Sequence, residues 1–466
     1  MQLSPQTVAR FCAGELALAL GQHADALAAI VSVSTDTRTI TAGACFVALK
    51  GEHFDGHHYL QQARDKGAVA AIVHRTQAIE GLLQIVVPDT QAALGRWAKQ
   101  WLRQLPAKRI ALTGSNGKTT VKNLSAAILQ RVGPTSATLG NLNNEIGLPL
   151  TGLGVQASDR FAVLELGAGA PGDIAYLADI AGPHIALVNN AGPAHLERLG
   201  SVEGVAVEKS MIYRALASDG IAVIPNDDAM REVFVAAATH CHRIHFGLSS
   251  GDIRAEGLSY DHGSQFNLVG PFGRARVNLP LLGEHNVRNA LAAAALSYAA
   301  GASLDAIVTG LARVQIERGR LQRVLQPAGW YLIDDSYNAN PASVMAAIDT
   351  LAQAGGRSIL VLGDMAELGP EAAVLHAEVG QHAALRGLSQ LYSLGPKSAL
   401  AAQASGVGRN FDTLPALLEA LAPELQPGVS VLVKGSRSSK MERVVAALAA
   451  RASDPHAPGA AGVSPC

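Results

Sequence analysis

The chain reads as an α/β protein of three domains, the central one built on a doubly wound, mostly parallel sheet that carries a P-loop. Three observations predict this. From about residue 105 to 452, short apolar runs alternate with helical patterns, as strand–helix–strand units of a parallel sheet require. One apolar run, 109–112, leads into the turn Gly114-Ser115-Asn116-Gly117, then Lys118-Thr119-Thr120 and a helical pattern. At 466 residues the chain exceeds one ordinary core, so about three domains are expected.

The elements follow in order. Residues 1–104 form a smaller N-terminal α/β domain, with strands expected at 69–73 and 85–87 and a helix over 91–104 that stops before Pro106. The central domain spans 105–317. Its strands are 109–112, 161–166, 185–189 and 221–224, with helices over 119–129 and 202–217 between them. The segment 253–279 alternates polar and apolar residues and is broken by Gly263, Gly270 and Gly273. It is expected to add antiparallel strands to the core sheet, and 286–300 closes the domain as a helix. A third, Rossmann-like α/β domain covers 318–452, with strands at 331–334, 358–362, 390–394 and 430–434 and a last helix over 440–450. The tail, 453–466, is rich in Pro, Gly and Ala and is expected to be disordered.

Composition narrows the function. Hydrophobic residues make up 48% of the chain and charged residues 16%, and the formal net charge is -1. Such a balance excludes nonspecific nucleic-acid binding, which needs a basic excess. Cys12, Cys45, Cys241 and Cys466 lie far apart without a C-x-x-C, so no disulfide or zinc framework is expected. Met1 to Arg10 lacks a charged region leading into an apolar core, so no signal peptide is expected. The most apolar stretch, 290–302, is mostly alanine and too short to span a bilayer. A cytoplasmic protein without a membrane span, acting as a monomer, is the expectation.

The strand–turn–helix at 109–129 is an anion cradle. Turn N–H groups and the positive end of a helix favour phosphate, Lys118 reaches terminal phosphates, and Thr119 offers a hydroxyl to Mg²⁺. The usual loop is G-x-x-x-x-G-K-[ST]; here Leu112 stands at the first glycine position and Gly114 lies nearer to Gly117. ATP or GTP is the expected ligand. Further polar residues fall just beyond strand ends, where parallel sheets bind ligands. Glu165 and His195, with Thr119, could surround one or two metal ions. Taken alone, Glu165 reads equally as a solvated strand end, His195 as a structural histidine and Lys209 as a surface helix lysine. In the third domain, Arg320, the run Asp334-Asp335-Ser336-Tyr337-Asn338-Ala339-Asn340-Pro341 and the loop Lys434-Gly435-Ser436-Arg437 follow the same rule. Each also reads as an ordinary capping turn or βα loop.

Together these segments resemble the Mur ligases of peptidoglycan precursor synthesis over nearly the whole chain, to about residue 450. The resemblance rests on Ser34-Thr35-Asp36-Thr37-Arg38, the 46–57 segment with Lys50 and Phe54-Asp55-Gly56-His57, and the phosphate loop. It continues through Gly140-Asn141-Leu142-Asn143-Asn144-Glu145, Glu165-Leu166-Gly167-Ala168, Asn189-Asn190-Ala191-Gly192-Pro193-Ala194-His195 and Gly283-Glu284-His285-Asn286 with Asn289. The 334–341 run and Gly363-Asp364-Met365-Ala366-Glu367-Leu368-Gly369 resemble the branch that joins D-alanyl-D-alanine to UDP-N-acetylmuramoyl-tripeptide. The D-N-P-R signature of the diaminopimelate-adding branch is absent.

The resemblance implies roles. Gly114, Ser115, Asn116, Gly117, Lys118, Thr119 and Thr120 would hold the ATP phosphates. Thr119 and Glu165 would ligate one Mg²⁺ and His195 would help hold a second, with Lys209 as a carbamate. His285, Asn286 and Asn289 would approach the adenine, Arg320 the γ-phosphate and Asp335 the ribose. Asp36, Thr37, Arg38 and Lys50 would bind the UDP-sugar, and Asn143 and Asn144 would face the muramoyl-peptide. From their own position after a strand, Lys434 and Arg437 could hold an anionic substrate end, and Asn338 is expected among the substrate residues. Lys118, Lys209 and Arg320 would form the catalytic set. One departure stands out: many family members have Asn-His after Glu-x-Gly-Ala, whereas Gly169-Ala170 follows here. Two other readings compete. A folylpolyglutamate-type ligase shares the nucleotide site but lacks the first hundred residues. A switch NTPase would hydrolyse ATP without either acceptor.

Overall fold

The computed structural model describes residues 1–17, 28–52, 54–260, 263–314, 319–353 and 355–452. The expected tail at 453–466 and the expected boundary at 317/318 lie outside them.

The central sheet has six parallel strands in the order His242–Phe246, Ile221–Pro225, Ile185–Val188, Lys108–Thr113, Phe161–Glu165, Thr135–Ala137. Its four inner strands are mostly apolar on both faces, as a sheet covered on both sides demands. Successive side chains go to opposite cores: Ala111, Ala162, Leu164, Ala186, Val188 and Ile224 to one, and Ile110, Leu112, Val163, Ile185, Leu187 and Val223 to the other. Lys108–Thr113 sits mid-sheet, flanked by strands that arrive later in the chain, so its carboxyl end opens on the crevice where the strand order reverses.

The first of these cores continues into the N-terminal domain. The helix Thr90–Gln104 buries Trp97 and Trp101 in it, and Trp101 Nε1 donates to the Val155 carbonyl at 3.0 Å. The N-terminal sheet runs Glu15–Ala17, Leu83–Val86, Ala68–Val73, Ala44–Val47, Ser32–Ser34, parallel except at its first strand. The third domain repeats the layered plan: Gln322–Leu325, antiparallel at the edge, then Tyr331–Asp335, Ser430–Lys434, Ser358–Gly363, Gln390–Leu394 and Gly408–Phe411 in parallel.

One expectation is corrected. The antiparallel strands Arg254–Ser259, Ser264–Gly270 and Gly273–Leu279 do not extend the core sheet but form a separate three-stranded sheet. Their alternation gives one apolar face, Phe266, Leu268, Val277 and Leu279, and that face is buried against the helix Glu284–Ala299 rather than paired edge to edge.

In the N-terminal domain, Asp55, His57 and His74 cluster closely enough to suggest a metal site. Hydrogen bonds use the imidazole instead: His57 Nδ1 meets Asp55 Oδ1 at 2.9 Å, and His57 Nε2 accepts from the His74 N–H at 3.2 Å. Burial holds His57 below its usual pKa. A buried neutral histidine adds stability above pH 6.5, and that contribution is lost as pH falls toward its lowered folded value. Thermal melts between pH 7.5 and 5.5 are therefore expected to show a shallower fall in Tm for His57→Asn than for the parent chain. An equal or steeper fall would contradict this reading.

Candidate active site

The glycine turn sits at the carboxyl end of Lys108–Thr113, and Gly117, with φ 77°, caps the helix Lys118–Leu129. Glycine is required there twice over: the left-handed φ disfavours a side chain, and a Cβ would collide with the Asn289 and Asn189 amides. The loop is held by asparagines. Asn116 N–H donates to Asn190 Oδ1 at 2.8 Å, and the Asn189 and Asn190 amides donate to the Asn116 carbonyl at 2.9 and 3.0 Å. Asn189 also donates to Asn289 Oδ1 at 2.9 Å, Asn289 to Asn286 Oδ1 at 3.2 Å, and Asn286 to the Leu282 carbonyl at 2.8 Å. The amides of Asn286 and Asn289 are thus committed to the scaffold beneath the loop, while His285 beside them lines the cleft. Burial, with Lys434 nearby, pushes the His285 imidazole down to about 4, so it is neutral at pH 7.

The loop opens into a cavity of about 820 Å³ that is walled by both the central and the third domain. Ser115 to Thr120, Asn143, Asn144, Glu165, His195, His285, Asn286 and Asn289 line it from one side, and Arg320, Asp335, Asn338 and Lys434 from the other. Two hydrogen bonds tie the walls together: Arg320 Nη2 donates to Thr119 Oγ1 at 2.9 Å, and Asn340 Nδ2 to Asn116 Oδ1 at 2.8 Å. Gly114 lies beneath this lining, packed against Asn189.

Electrostatics favour an anion. Lys118 Nζ turns back onto the Gly114 carbonyl at 2.7 Å, and burial lowers its pKa. Lys209, on the helix Val202–Arg214, is not a surface lysine. It is 1% exposed behind the cavity wall, and burial followed by repulsion from Lys118 holds its amine well below the usual lysine range. Its neighbour Glu208 accepts the N–H groups of Gly172 and Ile174 at 2.8 and 2.7 Å. Asp173 gathers Gly169 N–H and Ala170 N–H, each at 2.8 Å, so the two positions that depart from the family pattern are fixed through backbone.

The residues present fit a divalent cation. Glu165 is 2% exposed; Oε1 accepts from Asn143 Nδ2 at 2.8 Å, while Oε2 has no hydrogen-bond partner and lies 3.9 Å from Lys122 Nζ. A buried carboxylate oxygen without a hydrogen-bond partner, in a cavity that Thr119 also lines, is what a hard cation seeks. Asn143 therefore orients Glu165 as well as lining the cleft, and Asn144 Oδ1 caps the next turn through Gly147 N–H at 2.8 Å. In the third domain, Asp335 pairs with Lys434 at 2.5 Å, and Lys434 also donates to the Asn338 carbonyl at 2.9 Å. Burial raises the Asp335 carboxyl, opposed by Lys434.

Other expected residues lie elsewhere. Arg437 is not among the cavity-lining residues and meets Glu442 at 3.3 Å. Asp36, Thr37, Arg38 and Lys50 belong to the N-terminal domain and do not line the cavity either. Arg38 is 85% exposed and paired with Asp36 at 2.6 Å, Asp36 caps the turn Thr37–Thr39, and Thr37 Oγ1 donates to Gln62. Sequence reasoning left Asn340, Tyr337, Lys122, Glu208 and Glu367 without roles. Asn340 and Tyr337 sit in the quoted 334–341 run, so position alone could have flagged them. Lys122 and Glu208 look like helix-surface charges until packing buries them.

Comparison with known proteins agrees with this architecture. Residues 29–102 match the model described as Mur ligase family, catalytic domain; 112–297 match the Mur ligase middle domain; and 319–437 match the Mur ligase, glutamate ligase domain. The chain is 44% identical to the UDP-N-acetylmuramoyl-tripeptide–D-alanyl-D-alanine ligase of Escherichia coli over 90% of this chain and 93% of that one. The crystal structure of MurF from Acinetobacter baumannii superposes with a TM-score of 0.90 at 36% identity, covering 97% and 99% of the two chains. MurF ligase from Thermotoga maritima in complex with ADP gives 0.82 at 28% identity, covering 91% and 98%. With three successive family models along its length and relatives of this identity over nine-tenths of both chains, the protein belongs to the Mur ligase family of ATP-dependent ligases.

Proposed function

We propose that this chain joins D-alanyl-D-alanine to UDP-N-acetylmuramoyl-tripeptide at the expense of ATP, releasing ADP and phosphate, as the last cytoplasmic step of UDP-muramoyl-pentapeptide synthesis. The observation that carries it is one cavity with the phosphate loop on one wall and Arg320, Asp335 and Lys434 of the third domain on the other. That arrangement suits a reaction in which a nucleotide and an acid meet between domains. The names of the full-length relatives supply the acceptors. The division we propose assigns 1–104 to the UDP-substrate, 105–317 to ATP and 318–452 to ligation. No helix among the described residues is long and apolar enough to cross a membrane; the setting we propose is the cytoplasm, with the chain acting as a monomer.

The chemistry follows from charge. A carboxylate repels an incoming lone pair, so the γ-phosphoryl passes first to the terminal carboxylate of the tripeptide, giving an acyl phosphate. The dipeptide amine then attacks the carbonyl carbon, loses a proton, and phosphate departs with the acyl oxygen. Negative charge grows on the equatorial phosphoryl oxygens, where Lys118 and Arg320 oppose it. Lys118 need only leave the Gly114 carbonyl to reach them, and the N–H groups of Gly117 to Thr120 at the helix start would seat the remaining phosphates, those of Ser115 and Asn116 being held by Asn190. Thr119, Glu165 and His195 would hold Mg²⁺, expected as two ions, which offset phosphate charge when bound. Lys209 suits a carbamate, since its buried amine is held toward the neutral, CO₂-reactive form and an anion there would relieve its repulsion from Lys118. We assign Asp335 to the ribose, His285 to the base, Asn143, Asn144 and Asn338 to the peptide, and Asp36, Thr37, Arg38 and Lys50 to the uridine-linked end. Arg437 is left to an outer substrate contact. An acyl phosphate must be kept from water, which closure of the two walls over it would do.

Two outcomes test this. Mass spectrometry of the full chain with ATP, Mg²⁺, UDP-N-acetylmuramoyl-tripeptide and D-alanyl-D-alanine is expected to show the amide product, one water lighter than the two acceptors, with phosphate released only when both are present. Phosphate release without acceptors would instead favour a switch NTPase. Lys118→Ala is expected to lower kcat by about 10²–10³. Arg38→Ala is expected to raise KM for the UDP-substrate about tenfold, the loss of one charge-assisted hydrogen bond, with kcat unchanged. Arg38 is the cleaner variant because Asp36 also caps a turn. An unchanged KM would remove the N-terminal segment from the substrate site.

A further inference from the structure

Besides the two hydrogen bonds, an ion pair crosses the cleft: His195 Nδ1 meets Glu367 Oε2 at 2.6 Å. His195 comes from the central domain and Glu367 from the third. Of five non-glycine residues with left-handed φ among the described residues, two are these partners, His195 at 54° and Glu367 at 61°. Such backbone persists where surrounding structure holds it, and it clusters at functional sites. Here the support is visible. Glu367 lies on the loop after Ser358–Gly363. In that loop Met365 N–H donates to the buried His376 Nε2 at 3.0 Å, and Asp364 Oδ1 accepts Ser398 N–H at 2.7 Å. The Asp364 carbonyl accepts Ser436 N–H at 3.0 Å and the Ser436 and Ser439 hydroxyls at 2.6 and 2.8 Å. The end of the loop packs on the central domain, where Gly369 lies against the Glu197 backbone. The loop is therefore a rigid arm with one carboxylate at its reach.

A carboxylate on one ring nitrogen decides what the other can do. With Nδ1–H donating to Glu367, Nε2 keeps its lone pair, the form a metal-bound imidazole needs, and the ring cannot rotate away. We propose that Glu367 is a positioning residue for the cation site: it orients His195 from across the domain boundary, so that this ligand is set only when the third domain is docked. The inference rests on the reading of His195 given above and deepens it. Glu367 is 62% exposed and His195 35%, so the pair stands at the cleft rim and substitution at Glu367 leaves the packed cores untouched.

The test uses Mn²⁺ as the probe, titrated by electron paramagnetic resonance into the full chain with saturating β,γ-methylene-ATP. In Glu367→Ala one class of nucleotide-dependent Mn²⁺ is expected to bind about tenfold or more weakly. Glu367→Gln, which keeps an acceptor oxygen, is expected to recover most of that loss. His195→Ala is expected to lose the same class, and the double variant Glu367→Ala/His195→Ala to lose no more than His195→Ala alone. Wild-type Mn²⁺ affinity in Glu367→Ala alongside a loss in His195→Ala would overturn this inference and leave the proposed function standing. Additive losses in the double variant would overturn it as well. Unaltered Mn²⁺ binding in His195→Ala would overturn both this inference and the metal role assigned to His195.

Discussion

The constraint on which the site depends is the placing of two lysines, Lys118 and Lys209, close together in a poorly solvated wall. Burial depresses both, and each is further depressed by a neighbouring cation: Arg320 for Lys118, and Lys118 for Lys209. A fold holds such a cluster only where something compensates it, because an uncompensated buried charge is costly. Glu165 and Glu208 supply part of the compensation, but Glu208 is spent on two backbone N–H groups and Glu165 on Asn143. In the proposed function, a polyanion in the cleft and an anion on Lys209 would complete the balance.

The second consequence concerns the walls. Arg320 to Thr119, Asn340 to Asn116 and Glu367 to His195 all join the third domain to the central one, and each central partner is one that the proposed function gives to the phosphates or the cation. Docking and site assembly are therefore one event rather than two. The N-terminal domain is coupled differently, through a continuous apolar core around Trp97 and Trp101 rather than through polar contacts at the cleft. Apolar packing of that kind is not remade at each turnover, whereas rim hydrogen bonds exchange readily with water. The third domain is the part suited to move.

Much of this was legible in the chain because its signals are local. The loop Gly114 to Thr120 needs only a strand before it and a helix after it. Glu165, His195 and Lys434 announce themselves as polar residues just beyond apolar runs. Legibility failed where tertiary packing decides. Lys209 and Lys122 carry no mark that distinguishes a buried lysine from a solvated one, since burial comes from elements tens of residues away. The 253–279 segment has a clear period of two, but the period does not say which sheet it joins, and its apolar face found a helix. Asn143 looked like a substrate contact and is also the clamp on Glu165. Glu367 sat in a quoted motif with no role, because its partner is 172 residues away and meets it only across a domain boundary.

The most direct measurement is a crystal structure of the full chain with β,γ-methylene-ATP and Mg²⁺. The account predicts Lys118 Nζ withdrawn from the Gly114 carbonyl and placed, with the Arg320 guanidinium, within hydrogen-bond reach of the γ-phosphate. A triphosphate lodged away from Gly117, with Lys118 still on the Gly114 carbonyl, would contradict it.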